Sequence, residues 1–290
     1  MKLGFIGLGI MGLPMATNLL KKSGKEVIGF DISEERNKLF LDKGGIIASD
    51  IKEISNSCDI IFLSLAGNEL VKKTLYEIID NAKENVIIVD TSSTSPLVIK
   101  EMYRKAKLKK IDLIDAPVSG GDIGAIEGKL VIMAGGDKEV FDKIEPFLLY
   151  MGAKATYMGT SGSGQIAKLA NNIIAGCNMA VVAEGLAFAS KAGLDTTTLF
   201  NAIKDGAAGS YMLNIKAPKM IAHDFTANAR MSVHQKDLKN AYELAKSMGV
   251  EIPISKITLD YWNEMEKKGC LDEDHCCLSK IYEERMNTRL

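Results

Sequence analysis

The feature that most constrains this chain is a glycine pattern directly after its first apolar segment. Leu3, Phe5 and Ile6 predict a short strand, and a helix is predicted over Leu13–Lys22. Between them lies a Gly-x-Gly-x-x-Gly loop, made of Gly7, Leu8, Gly9, Ile10, Met11 and Gly12. In this context the glycines allow a tight turn, close approach to a pyrophosphate and close packing of helix on strand. The N–H groups at the helix N-terminus favour phosphate, so we predict that this loop binds a dinucleotide.

An acidic residue completes this pattern. A second strand is predicted over Glu26–Phe30, and it ends at Asp31, about 20 residues after the glycine loop. A carboxylate there accepts hydrogen bonds from the ribose hydroxyls and repels a 2′-phosphate. We therefore predict NAD as the cofactor, with NADH preferred over NADPH, although Arg36 would soften that preference. The alternative is a glycine-rich turn that binds nothing.

The composition is that of a globular chain large enough for two domains. Of its 290 residues, 47% are hydrophobic and 25% are charged. The net charge of −1 gives no bulk attraction to nucleic acid or to an anionic membrane, so we expect neither as a partner. We see no apolar run of the about 20 residues that a membrane span needs. The chain begins with a strand and not with a signal peptide, so we expect a cytoplasmic protein.

The cysteines do not suggest a metal site. There are five, an odd number at irregular spacing, which favours reduced thiols. His275, Cys276 and Cys277 are adjacent, but no second pair of ligands stands at metal-binding spacing. We therefore predict no metal.

Short apolar runs alternate with amphipathic helices up to residue 162. Beyond the second strand, further strands are predicted over Asp59–Leu65, Val86–Asp90, Ile111–Asp115 and Leu130–Ala134. The helices are predicted over Arg36–Asp42, Val71–Ile79, Lys100–Leu108 and Lys138–Tyr150, with Ser33 capping the first. This alternation predicts an α/β fold, a Rossmann doubly wound parallel sheet over residues 1–162. Ligands bind beyond the carboxyl ends of such strands, where Ser64–Asn68, Thr91–Ser95 and Ala116–Gly121 are rich in polar residues and glycine.

Residues 163–290 predict an all-helical second domain for substrate binding and oligomerisation. A long apolar helix over Gln165–Ala192 is followed by helices over Thr196–Lys204, Tyr211–Ile221, Ser232–Ser247, Ile254–Lys267 and Asp272–Arg285. Asp195, Ser210 and Asp272 are the expected N-caps. The long helix over Gln165–Ala192 is apolar on most of its circumference, and these side chains must be buried against other helices. We therefore predict a homo-oligomer, either a homodimer or a homotetramer.

Two further groups of residues indicate chemistry. Ser119, Gly120 and Gly121 follow a strand and offer a hydroxyl and backbone N–H groups to a small carboxylate, although an ordinary turn has the same composition. Lys168 and Asn172 are four residues apart and share one face of the long helix. Burial of that lysine among apolar residues would lower its pKa towards that of a proton donor. The alternative is a lysine that extends to the surface.

The chain resembles the β-hydroxyacid dehydrogenase family, which includes 3-hydroxyisobutyrate dehydrogenase. Four stretches carry the resemblance, and they follow the family's order: Gly4–Leu19, Asp115–Leu130, Gly162–Asn172 and Lys236–Ala241. The resemblance implies that Lys168 is the catalytic lysine, that Asn172 orients the substrate, and that Ser119, Gly120 and Gly121 bind the substrate carboxylate. It also implies contacts from Leu65, Ser93 and Lys236 to the nicotinamide cofactor. Leu65-Ala66 stands where the family usually has Leu-Pro, which loosens one loop.

The resemblance implies reversible hydride transfer between NADH and the C3 aldehyde of a short carboxylate, with Lys168 moving the proton. Within the family, Ala207–Ser210 and Lys216–Pro218 most resemble the reductases of tartronate semialdehyde (2-hydroxy-3-oxopropionate). Ala175–Met179 and His234–Leu238 resemble 2-(hydroxymethyl)glutarate dehydrogenase, which stays an alternative together with 3-hydroxyisobutyrate dehydrogenase. A 6-phosphogluconate dehydrogenase is disfavoured by chain length. A non-catalytic dinucleotide-binding protein is disfavoured because Lys168 and Asn172 are both present.

Overall fold

The computed structural model describes residues 1–290. The chain divides into two compact units, Met1–Lys168 and Leu169–Leu290. The first unit carries all the strands, and the second is helical.

A nine-stranded sheet forms the centre of the first unit. Its strands are β1 (Leu3–Ile6), β2 (Val27–Phe30), β3 (Ile46–Ile47), β4 (Ile60–Leu63), β5 (Ile87–Asp90), β6 (Asp112–Asp115), β7 (Val118–Ser119), β8 (Leu130–Gly135) and β9 (Gly152–Gly159). Their order is β3-β2-β1-β4-β5-β6-β8-β7, with β9 on β8. The order changes direction at β1, between β2 and β4, which is the position where open α/β sheets bind their ligands.

Helices cover both faces of this sheet. They are α1 (Gly12–Ser23), α2 (Glu34–Leu41), α3 (Ile51–Ser57), α4 (Asn68–Asn81), α5 (Pro96–Leu108), α6 (Gly121–Glu127) and α7 (Lys138–Met151). Side chains alternate along β1, so Phe5 packs in one core with Met15 and Ile144. Ile6 packs in the other core with Ile78 and Ile99. The predicted doubly wound α/β fold is therefore confirmed.

The sheet is parallel except where β8 pairs with β6 and β7, a detail that the sequence did not predict. The six strands β1 to β6 pair in parallel, but β8 is antiparallel to β6 and β7. The reason is the short connection between β7 and β8, which contains only α6 and begins at Gly120 and Gly121, with φ angles of 135° and 66°. It turns the chain back without the long crossover that a parallel pair needs. The sequence did not predict α6 or the strands β3, β7 and β9. The strands β3 and β7 are only two residues long, and β9 carries few buried side chains.

The second unit is built from helices. They are α8 (Ser163–Lys191), which starts in the first unit, α9 (Thr196–Ile203), α10 (Tyr211–Ile221), α11 (Met231–Met248), α12 (Pro253–Lys267) and α13 (Ser279–Met286). Met179, Trp262 and Ile281 are fully buried in its main core. The predicted all-helical architecture is confirmed.

Two of the three predicted caps in this unit are confirmed. The side chain of Asp195 accepts a hydrogen bond from the Thr198 N–H, and that of Ser210 accepts one from the Leu213 N–H. The predicted cap at Asp272 is wrong. Asp274 caps a 3₁₀ turn over His275–Leu278 before α13 begins, and its buried carboxylate holds Lys216 Nζ at 2.9 Å.

The helix α8 also corrects one expectation. By length and composition it could cross a membrane, with a mean hydropathy of 1.6 in its most apolar stretch. One such helix is weak evidence, because the core helix of a soluble protein has the same composition. Met179, Ala183 and Leu186 of α8 pack in the core of the second unit.

Candidate active site

Two glycines of the Gly7–Gly12 loop are required by the fold, and the third faces open space. Gly7 has a φ of 92°, and a Cβ there would lie 2.3 Å from the carbonyl oxygen of Ser64. A Cβ on Gly12 would lie 1.8 Å from the carbonyl oxygen of Gly7. A Cβ on Gly9 would have no protein atom within 4 Å. The turn and the helix contact therefore need Gly7 and Gly12, while Gly9 leaves room for a ligand to approach the backbone.

The N-terminus of α1 opens onto this loop. Met11 stands at the N-cap position, and no side chain caps the helix there. The first turn contains no acidic residue, and Lys21 and Lys22 lie in the last turn. The N–H groups of the first turn therefore have no capping side chain, and the helix dipole favours an anion beside them. Together with the open space at Gly9, these groups fit the pyrophosphate of a dinucleotide.

Asp31 is anchored beside the same loop. Its Oδ2 accepts a hydrogen bond of 2.7 Å from the Leu8 N–H, and its Oδ1 accepts one of 2.9 Å from the Ser33 N–H. The Asn37 side chain accepts from the Asp31 N–H and donates to the Asp31 carbonyl oxygen. Ser33 caps α2, as predicted. The structure thus places the side chain of Asp31 next to the glycine loop.

The loops after β4 and β5 are tied to each other. The Leu65 N–H donates a hydrogen bond of 2.9 Å to Ser92 Oγ, and Asn68 Oδ1 accepts one of 2.9 Å from the Ser95 N–H. Ser93 lies between these two attachments and is half-buried. The structure therefore brings Leu65 and the Ser93 loop together at the carboxyl edge of the sheet.

The Ser119–Gly121 segment has a backbone that only glycine adopts readily. Gly120 and Gly121 lie in the positive-φ region. Ser119, half-buried, ends β7 and pairs with Val131. The two glycines are exposed. This leaves backbone N–H groups and one hydroxyl open to a small anion.

Lys168 lies on α8, half-buried, one turn after the start of that helix. The start is held by Asp115, whose carboxylate accepts hydrogen bonds from the N–H groups of Gly162 and Gln165. Burial raises the pKa of Asp115 to about 7, and the nearby charge of Asp90 acts in the same direction. Asp115 and Gln165 were not among the predicted site residues.

In the second unit, Asn172 and Lys236 meet at one buried carboxylate. Asn172 Nδ2 donates a hydrogen bond of 2.5 Å to Oδ2 of Asp237, and Lys236 Nζ lies 3.2 Å from Oδ1. Asp237 is only 1% exposed. The structure therefore joins α8 and α11 through three polar side chains. Asp237 was missed at the sequence level, although an aspartate on the buried face of an amphipathic helix was a usable signal.

The cysteine-rich segment from His275 to Cys277 is buried. Cys276 and Cys277 are fully buried free thiols, and burial raises the pKa of Cys277 to about 12. Burial also lowers the pKa of His275 well below its usual value. No group of three or more His, Cys, Asp or Glu side chains is placed to hold a metal ion. These residues belong to the core of the helical unit.

Two family models match the chain. Residues 2–159 match the NAD-binding domain of 6-phosphogluconate dehydrogenase. Residues 162–282 match the family described as NAD-binding of NADP-dependent 3-hydroxyisobutyrate dehydrogenase. Together the two models cover both units.

Two relatives match over nearly the whole length of the chain. The chain is 36% identical over 293 residues to 2-hydroxy-3-oxopropionate reductase of Escherichia coli, covering 100% of both chains. It is 36% identical over 287 residues to 2-(hydroxymethyl)glutarate dehydrogenase of Eubacterium barkeri, covering 98% and 95% of the two chains. Among solved structures, Mycobacterium tuberculosis 3-hydroxyisobutyrate dehydrogenase with L-serine matches with a TM-score of 0.90. That match has 26% identity and covers 97% of this chain and 98% of the other.

Proposed function

Because this chain belongs to the β-hydroxyacid dehydrogenase family, related to 3-hydroxyisobutyrate dehydrogenase, we propose that it reduces the C3 aldehyde of a short carboxylate with NADH. Of the substrates in this class, we propose 2-hydroxy-3-oxopropionate (tartronate semialdehyde). This choice rests on the resemblance of Ala207–Ser210 and Lys216–Pro218 to the reductases of that compound, together with 36% identity to one of them over the full length of both chains. That the chain is an NAD-binding oxidoreductase follows from the family itself.

The proposed cofactor site is the Gly7–Gly12 loop with Asp31. The open space at Gly9 and the uncapped N-terminus of α1 fit a pyrophosphate. The carboxylate of Asp31, held by the Leu8 N–H, would accept hydrogen bonds from the ribose and repel a 2′-phosphate. This supports a preference for NADH over NADPH. When bound, the cofactor supplies the hydride.

Lys168 is the proposed proton donor. Its ammonium group would give a proton to the alkoxide oxygen that develops at C3, and its charge would stabilise that oxygen before the transfer. In the reverse direction the neutral amine would take the hydroxyl proton. Asn172 lies one helical turn further along α8 and would orient the same oxygen.

Ser119, Gly120 and Gly121 would hold the substrate carboxylate. The positive φ angles of the two glycines leave the backbone unshielded by side chains, and Ser119 adds a hydroxyl. A fixed carboxylate restricts where C3 lies, which is the main contribution that a protein makes to hydride transfer. Ser93, Leu65 and Lys236 are proposed to contact the nicotinamide half of the cofactor.

Two other substrates of the same class have support from particular matches. The Eubacterium barkeri enzyme that acts on 2-(hydroxymethyl)glutarate has the same 36% identity. The Mycobacterium tuberculosis structure is a 3-hydroxyisobutyrate dehydrogenase with L-serine. L-serine, like each of these substrates, has a hydroxyl on the carbon next to Cα. The compounds named for the matched proteins are thus all related to 3-hydroxy carboxylates, and they differ in the group that is attached to C2.

We also propose that the protein is a homodimer or a homotetramer. Ile174, Val181 and Phe188 lie seven residues apart along α8 and are 61%, 58% and 68% exposed. Residues at this spacing form one stripe, which is the pattern of a helix–helix contact. The net charge of −1 puts little repulsion between copies, so the proposed occupant is a second copy of this chain.

A cytoplasmic location suits this function. All five cysteines are free, and unpaired thiols are typical of a reducing compartment. The proposed reaction also consumes NADH, which is present in the cytoplasm.

A substrate screen tests the proposed function. Purified protein is mixed with NADH or NADPH and each of the C3 aldehydes of the three candidate acids, and absorbance at 340 nm is followed. We expect the highest kcat/KM for 2-hydroxy-3-oxopropionate with NADH, and a smaller preference for NADH in the variant Asp31→Ser. Equal or better kcat/KM with NADPH would contradict the assignment of Asp31. No turnover of any of the three aldehydes would contradict the proposed function.

A further inference from the structure

The first turn of α8 is attached to the sheet by a buried amide. Gln165 is 0% exposed. Its Oε1 accepts a hydrogen bond of 3.0 Å from the Thr94 N–H, and its Nε2 donates one of 2.8 Å to the Ser92 carbonyl oxygen. The Gln165 side chain therefore forms hydrogen bonds with the backbone on both sides of Ser93, the residue proposed to contact the nicotinamide.

A buried carboxylate attaches the same turn to β6. Asp115 is 0% exposed. Its Oδ1 accepts a hydrogen bond of 2.7 Å from the Gly162 N–H, and its Oδ2 accepts one of 2.9 Å from the Gln165 N–H. A Cβ on Gly135 or Gly164 would lie 2.9 Å from these carboxylate oxygens. The carboxylate is thus enclosed by backbone on both sides.

The loop that receives Gln165 is itself fixed. The Ser92 N–H and Thr94 Oγ1 both donate to the buried carboxylate of Asp90, at 3.0 and 2.9 Å. Ser92 Oγ accepts a hydrogen bond from the Leu65 N–H. The Ser93 loop therefore has little freedom, and Gln165 bonds to its backbone and not to a mobile side chain.

We propose that Gln165 and Asp115 are positioning residues, which together fix the turn of α8 before Lys168 against the loop that carries Ser93. This inference rests on the proposed function, in which Lys168 moves the proton and Ser93 contacts the cofactor. Lys168 comes three residues after Gln165, so a rotation of this turn displaces its ammonium group directly. Hydrogen bonds have direction and apolar contacts do not. A satisfied buried network therefore holds the turn in one orientation.

The variant Gln165→Met tests the inference, because it keeps the length of the side chain and removes both hydrogen bonds. We expect kcat for the aldehyde to fall about 10- to 100-fold, as small misplacements of reacting groups do. The KM and the dissociation constant of NADH should change less than about threefold. With NADH deuterated at C4, the isotope effect on kcat should rise, since a misplaced donor slows the chemical step. A lower fraction of folded enzyme would leave that isotope effect unchanged.

The matched control is Ile78→Val, in the core of α4. It should lower the melting temperature and leave kcat and the isotope effect as in the parent. Should Gln165→Met not fold, Asp115→Asn is the second variant, since it keeps the volume and replaces one acceptor oxygen by a donor. The inference is overturned if the variant that folds keeps kcat within twofold with an unchanged isotope effect.

Hydrogen exchange separates failure of this inference from failure of the proposed function. Exchange of the amides of residues 163–168 needs no substrate. We expect it to be at least tenfold faster in Gln165→Met than in Ile78→Val. If the parent reduces no aldehyde but this difference is found, the proposed function fails and the attachment of the turn stands. If exchange is equal in the two variants, the attachment itself is refuted.

Discussion

Asp115 is a buried carboxyl group whose protonation is linked to folding. Burial raises its pKa to about 7, and Asp90 adds to the rise, while the N–H groups of Gly162 and Gln165 oppose it. In the unfolded chain an aspartate has a pKa of about 3.9. Between these two values the folded chain keeps a proton that the unfolded chain has lost. Stability from this group therefore falls as the pH rises from about 4 to 7, and levels off above that.

We predict that the parent loses stability relative to Asp115→Asn between pH 5 and pH 8. Urea unfolding of both proteins at each pH gives the two free energies of unfolding, and their difference isolates Asp115. His275, whose pKa is lowered by burial, contributes to both proteins and cancels. A difference that stays constant, or that favours the parent at higher pH, would show that Asp115 is ionised throughout this range.

Single residues of the site differ in how far the sequence could identify them. Gly7, Gly12 and Asp31 belong to a local pattern, and the turn, the helix contact and the hydrogen bond to Leu8 follow from that pattern. Gln165 and Asp237 were not predicted. Their partners, Thr94 and Asn172, lie 71 and 65 residues away along the chain. A local sequence pattern does not show a pairing between such distant residues, so only the folded structure identifies it.

Among the elements, helices with a clear apolar face were the most predictable. The helix α10 was predicted over the residues it occupies, and α12 to within one residue of its start. Short strands such as β3 carry too few residues for any period to show. The strand β8 runs antiparallel to β7 after a connection that begins at Gly120 and Gly121. A strand pattern alone contains no information about that direction.

We propose that the exposed apolar stripe of α8 is the contact through which copies of the chain associate. We predict a dimer or a tetramer by light scattering at micromolar concentration. The variant Phe188→Glu places a charge within the stripe of Ile174, Val181 and Phe188, and it should shift the protein towards a smaller species. Leu108→Glu is the control, because Leu108 is 86% exposed at the end of α5 in the other unit. A parent with the mass of one chain, 31.5 kDa, would refute the proposed assembly.

We propose that Lys168 delivers the proton in an NADH-dependent aldehyde reduction. The most direct test of this claim is kcat of Lys168→Ala against that of the parent, with 2-hydroxy-3-oxopropionate as substrate. We predict a fall by a factor on the order of 10³ or more, because the variant loses both the proton donor and the charge that faces the alkoxide. Binding of NADH should stay nearly unchanged, since Gly7–Gly12 and Asp31 remain. Lys168→Arg should not restore activity, because a guanidinium is effectively never deprotonated. Turnover by Lys168→Ala within tenfold of the parent would contradict the claim and make Lys168 a structural residue.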